Sequence, residues 1–77
     1  MNKQQLENIL LLNKVPKDLY SLNGGLPNEA YCIEEKDGEW QVYYSERGIR
    51  TNIEYFKNEE KACDCLLNEV KKAIGSI

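Results

Sequence analysis

Few residues in this chain have the type and spacing that chemistry needs. There are three cysteines, Cys32, Cys63 and Cys65, and no histidine among the 77 residues. Without histidine the commonest general base is missing, and Ser-His and Cys-His nucleophilic pairs are excluded. Cys63-x-Cys65 is not the Cys-x-x-Cys of a redox pair, and an odd cysteine count fits a reducing compartment better than a disulfide framework. A structural zinc site would have to recruit carboxylates. The cysteines read instead as small hydrophobes, and no metal or cofactor is expected. Carboxylates adjoin at Glu34-Glu35 and Glu59-Glu60. Strand neighbours point to opposite faces, so the first pair makes no dyad. The second suits the first turn of a helix, where the dipole favours acids. Asn23-Gly24-Gly25 reads as a loop turn, not a phosphate cradle. No phosphate loop, dinucleotide fingerprint or calcium loop is present. The expectation is a protein with no catalytic activity of its own.

These side chains must be positioned by a single domain, 1–77. A chain this short buries only about 60% of its unfolded surface, which leaves little room for a deep cleft. Its longest apolar run, Ile9-Leu10-Leu11-Leu12, is far below the ~20 residues of a membrane span. The N-terminal stretch lacks the apolar core and cleavage site of a signal peptide. A cytoplasmic location is expected, with no membrane association.

Leu6, Ile9 and Leu10 fall on one helical face between Lys3 and Asn13, widened by Leu11 and Leu12. Asn2 can cap the start, and Pro16 ends the helix. Leu19 to Leu22 reads as a helical turn or a short edge strand, leaving open a fourth strand at Tyr20–Leu22. A strand from Glu29 to Lys36 then runs into Asp37-Gly38, the strongest hairpin signal in the chain and a candidate type I′ turn. A two-residue loop there pairs Glu35 with Trp40, Ile33 with Val42, Cys32 with Tyr43 and Tyr31 with Tyr44. Glu46-Arg47-Gly48 makes the next turn, and a third strand covers Ile49 to Phe56. A final helix, capped by Asn58 and stopped by Gly75, carries the apolar stripe Ala62, Cys63, Leu66, Leu67, Val70, Ala73 and Ile74. The fold class is α+β: an antiparallel meander of three or four strands with N- and C-terminal helices packed on one face.

Strict alternation divides the meander. Tyr31, Ile33, Trp40, Val42 and Tyr44, with Ile49, Thr51, Ile53 and Tyr55, should face the helices. Cys32, Glu34, Gln41, Tyr43, Arg50, Asn52 and Glu54 should face solvent. Phe56 falls on that second side but could tuck under the last helix. Charge marks the same region. Residues 28–60 hold nine acids and four bases, whereas residues 1–27 and 61–77 each carry a small positive excess. An acidic surface repels nucleic acid and suits a basic protein partner. An exposed Tyr43 ringed by Glu, Gln, Asn and Arg has the composition of an interface hot spot. The candidate partner-binding residues are therefore Glu34, Tyr43, Arg50, Asn52 and Glu54 on the sheet, with Glu46 and Arg47 at the turn.

From Val15 to Leu67 the chain resembles small immunity proteins encoded beside bacterial polymorphic toxins. The resemblance lies in LYSLNGG with NEAYCIE, in the WQVYYSERG hairpin, and in FKNEEKAC opening the last helix. It implies a non-enzymatic bacterial protein that binds and neutralises a cognate toxin in the cytoplasm of the producing cell, as a monomer or weak homodimer. It supplies no catalytic residues. Contact residues in such families vary with the toxin, so none are taken from it. The acids could then mimic phosphates before a basic, nuclease-like site. The competing expectation is a structural or regulatory interaction module, dimerising through sheet faces or edges.

Overall fold

The computed structural model describes residues 1–75. Its elements are helix α1 (Lys3–Leu12), a 3₁₀ turn (Lys17–Leu19), strands β1 (Tyr20–Ser21), β2 (Ala30–Lys36), β3 (Glu39–Glu46) and β4 (Ile49–Phe56), and helix α2 (Glu59–Ile74). The expected α+β fold is observed. The sheet has four strands in the order β1-β2-β3-β4. Its edge strand β1 runs parallel to β2, and the other pairings are antiparallel.

Local chemistry accounts for the ends of these elements. Asn2 and Gln5 form a reciprocal capping box on α1, each side chain accepting from the other's backbone N–H at 2.8 Å. The helix ends at Lys14, a non-glycine residue with φ 57°. There the Val15 N–H reaches the Leu10 carbonyl at 3.0 Å and the Lys14 N–H reaches the Leu11 carbonyl at 3.1 Å. This is the Schellman arrangement, and it buries Val15. Asn58 caps α2 through the Lys61 N–H, and Gly75 closes it at φ 84°. Both hairpins are two-residue turns with positive φ at each loop position, Asp37-Gly38 and Arg47-Gly48. That is what the right-handed twist of the paired strands favours.

α2 lies across β2, β3 and β4, and α1 packs against α2. Leu6, Leu10, Ile33, Val42, Cys63, Leu66 and Val70 form the centre of the core, with Trp40, Phe56 and Tyr31 half-buried around it. Burying each such aliphatic side chain contributes about 1.5–3 kcal/mol. Glu59 ties the two helix starts together by accepting the Lys3 N–H at 2.9 Å. Two sequence expectations exceed what is buried. Leu11 and Leu12 are exposed, and the α2 stripe stops at Val70, leaving Ala73 and Ile74 at the surface.

The first hairpin has the expected register, including Tyr31 opposite Tyr44 and Cys32 opposite Tyr43. β4 does not keep strict alternation. Tyr44 pairs with Thr51 but Val42 pairs with Glu54, so Asn52 and Ile53 together oppose Tyr43. This is a β-bulge, and Asn52 sits in it at φ 53°. One extra residue reverses the facing of everything beyond it. Glu54 and Phe56 therefore share the helix-covered face with Ile49 and Thr51, while Tyr55 shares the other face with Arg50.

Candidate functional site

The face opposite the helices is not the open surface that alternation alone suggests. β1 and β2 are parallel neighbours, so the chain must leave one end of β1 and re-enter β2 at the other. Because β1 is only two residues long, residues 22–29 suffice for a crossover that ordinarily takes a dozen or more. The helices hold one face, and this link folds over the other. The Tyr43 hydroxyl donates to the Gly25 carbonyl at 2.7 Å, and the Ser21 hydroxyl donates to the Gly24 carbonyl at 2.8 Å. Tyr43 is consequently 1% exposed, beside Ala30, Cys32 and Ser45 at 0%. It is not the exposed interface residue expected. Burial, with Cys32 and Glu34 nearby, pushes its phenol up to about 12.

Glu34 and Arg50 share this face and satisfy one another. The Arg50 guanidinium donates to Glu34 Oε1 at 3.1 Å and to Gln41 Oε1 at 3.0 Å. Its Cζ stands 4.3 Å from the centre of the Tyr43 ring. The bond from Arg50 holds the Glu34 carboxyl below the usual carboxylate range, assisted by the Gly25 N–H. Gly24 fits here because it lacks a side chain. A Cβ at its φ of 67° would meet Glu34 Cγ at 2.8 Å and Glu34 Cβ at 2.9 Å. Three predicted partner residues, Glu34, Tyr43 and Arg50, thus form one closed cluster engaged within the chain.

The remaining candidates lie elsewhere. Glu46 is half-buried at the end of β3, Arg47 is exposed in the turn, and Asn52 is exposed on the bulge. Glu54 faces the helix side rather than the face carrying Arg50, because of the bulge. There a cleft of about 320 Å³ opens between β3, β4 and α2, lined by Tyr31, Tyr44, Asn52, Ile53, Glu54 and Glu69 among others. The Tyr31 and Tyr44 rings pack with centroids 4.8 Å apart at 54°. Desolvation and the nearby carboxylates of Glu29 and Glu46 push the Tyr44 phenol up.

Glu54, Cys65 and Glu69 bring possible ligand atoms within 4.8 Å of one another at this cleft. The Cys65 thiol donates to Glu54 Oε2 at 3.0 Å. Burial and that bond push it up to about 12. At neutral pH the cluster is a thiol between two carboxylates, and a metal would first have to displace the thiol proton. Burial also raises Cys32, and takes Cys63 up to about 11. All three thiols are therefore poor nucleophiles near neutrality.

Sequence reasoning missed Glu69, Cys65, Tyr31 and Tyr44 as site residues. The signal lay in Phe56: the chain's single phenylalanine cannot share a face with Ile49 unless one residue of β4 is inserted. Asn52, of a type that tolerates positive φ, was the candidate. No helix among the described residues is long and apolar enough to cross a membrane. No protein-family model, curated protein or solved structure matches the chain.

Proposed function

We propose that this chain is a toxin-neutralising immunity protein. It would act without catalysis, in the cytoplasm of the cell that makes the toxin, by binding a basic toxin domain through an acidic, aromatic-containing surface. One observation carries the reading. Of the nine acids in residues 28–60, Glu34 alone is ion-paired among the described residues. The other eight have no ion pair among the described residues, although Glu35, Glu54 and Glu59 accept hydrogen bonds within the chain, and their summed field speeds capture of a basic partner. The binding surface assigned here is the helix-side cleft, with Glu54 and Asn52, extended along the strand end by Glu46 and Arg47. Glu34, Tyr43 and Arg50 support it from the opposite face.

The test reads the adjacent reading frame for a toxin-like domain and co-expresses that domain with this chain. The expected result is rescue of growth and a stable complex whose association rate falls steeply as salt rises. A toxin that kills equally with and without this chain overturns the reading.

A second reading, self-association, has its own observation. β4 is a free edge strand with Ile49 and Tyr55 exposed at 57% and 59%. The bulge at Asn52 interrupts that edge, which disfavours continuous pairing with a second copy. Sedimentation at micromolar concentration decides it: a stable dimer in the absence of toxin supports this reading.

A further inference from the structure

We propose that the cleft between β3, β4 and α2 receives an arginine side chain of a basic protein partner, its guanidinium against the Tyr31–Tyr44 pair and held by Glu54 and Glu69. The proposal rests on the toxin-binding reading only for which protein carries that arginine.

The opposite face of the same sheet shows what holds a guanidinium in this molecule. Arg50 lies over the Tyr43 ring at 4.3 Å and donates to Glu34 at 3.1 Å. The cleft repeats those ingredients, an aromatic face and carboxylate oxygens, without a basic residue of its own to match. Lys72 is the one base paired with either carboxylate among the described residues. It stands 4.0 Å from Glu69 with its side chain 76% exposed, a geometry worth little in water. Glu54 has no basic partner among the described residues. Two carboxylates close enough to share the Cys65 neighbourhood within 4.8 Å repel, and a cation between them removes that repulsion.

Three features select arginine. A planar guanidinium can bridge two carboxylates while stacking on an aromatic ring, whereas an ammonium is a compact and strongly hydrated point charge. The cleft, at about 320 Å³, lies at the lower end of ligand-site volumes and suits one side chain rather than a larger ligand. A metal ion would gain nothing from the tyrosine rings and would have to displace the proton that Cys65 shares with Glu54.

The test titrates the isotope-labelled protein with three peptides, acetyl-Gly-Arg-Gly-amide and its lysine and glutamine counterparts, and separately with Zn²⁺. The expected result is saturable shifts confined to Tyr31, Tyr44, Ile53 and the Glu54 and Glu69 side chains. They should be strongest for the arginine peptide and weakened about tenfold in Glu54→Gln/Glu69→Gln. Glu35→Gln/Glu39→Gln, on the first hairpin, should bind like the parent. Shifts scattered over the whole acidic surface, equal response to arginine and lysine, or indifference to the cleft double variant overturn the proposal. So does Zn²⁺ binding at the cleft with no arginine response. The peptides need no toxin, so the two readings fail separately. Arginine-peptide binding in the cleft without toxin binding removes the toxin reading alone. Full toxin affinity in the cleft double variant removes the cleft alone.

Discussion

Two regions on opposite faces of β3 and β4 are built from the same residue types and end in different states. Around Tyr43, a carboxylate, a guanidinium and an aromatic ring come from one chain, and residues 22–29 cover them. Around Tyr44, one position along β3, two carboxylates and a pair of rings face a cleft whose carboxylates pair, among the described residues, only with the loosely placed Lys72. Composition does not separate the regions; cover and cation supply do. The parallel edge strand β1 forces the crossover that closes one face. The bulge at Asn52 turns Glu54 to the other. The first cluster should therefore behave as a stability element and the second as a binding element.

The largest expected effect is on the closed region. Gly24→Ala adds a Cβ against the Glu34 side chain at positive φ, and should cost about 2–3 kcal/mol in urea unfolding. Gly25→Ala meets no atom within 4 Å, so only its φ of 83° is penalised, at about 1 kcal/mol. Equal losses would mean that the loop is strained but not seated on the sheet, and the distinction between the two regions would weaken.

Next is the carboxylate comparison. Glu34→Gln leaves the Arg50 guanidinium, whose side chain is 30% exposed, without its anion. After discounting for solvent, the cost should be about 1–1.5 kcal/mol. Glu54→Gln should change stability by less than about 0.5 kcal/mol, while weakening the proposed binding of an arginine side chain in the cleft. A Glu54 variant that unfolds more readily than the Glu34 variant would reverse the assignment of roles.

Tyr43→Phe removes the hydroxyl that holds the Gly25 carbonyl and should cost about 0.5–1 kcal/mol. It also has an alkaline signature. The folded Tyr43 phenol is raised to about 12 from an ordinary value of 10.0. Its contribution to stability is therefore complete below the unfolded value and is lost as pH rises through the folded one. Absorbance at high pH should show that the latest-titrating tyrosine of the parent is missing from Tyr43→Phe.

The parts of this structure that were legible in sequence are those set by local chemistry. Asp37-Gly38 dictates a primed turn, and period-two patterning then fixes which residues of β2 and β3 face each other. Asn58 and Gly75 bracket α2 for equally local reasons. The exposure of the second face was not legible, because it depends on a route taken by residues 22–29, and nothing in Asn23-Gly24-Gly25 says which surface those residues will lie on. β4 concealed its bulge for a different reason. Ile49, Thr51, Ile53 and Tyr55 alternate so cleanly that an uninterrupted strand accounts for them all, and only Phe56 is left over. The candidate residues were thus sorted onto one patch where the backbone places them on two faces.

The smallest effect, and the most discriminating, is in acid. The Arg50 bond lowers the folded-state pKa of Glu34. A lowered carboxyl contributes stability above its unfolded value, about 4.3, and loses it as pH falls through the folded value. The stability gap between parent and Glu34→Gln should be constant near pH 6, shrink below about pH 4.3 and close once both forms are uncharged at this position. If the Glu34 gap persisted undiminished into strong acid, the carboxylate charge would not be what holds this cluster. Closure of that face would then rest on the glycine loop and the buried tyrosine alone, and the two regions would differ in cover but not in electrostatics.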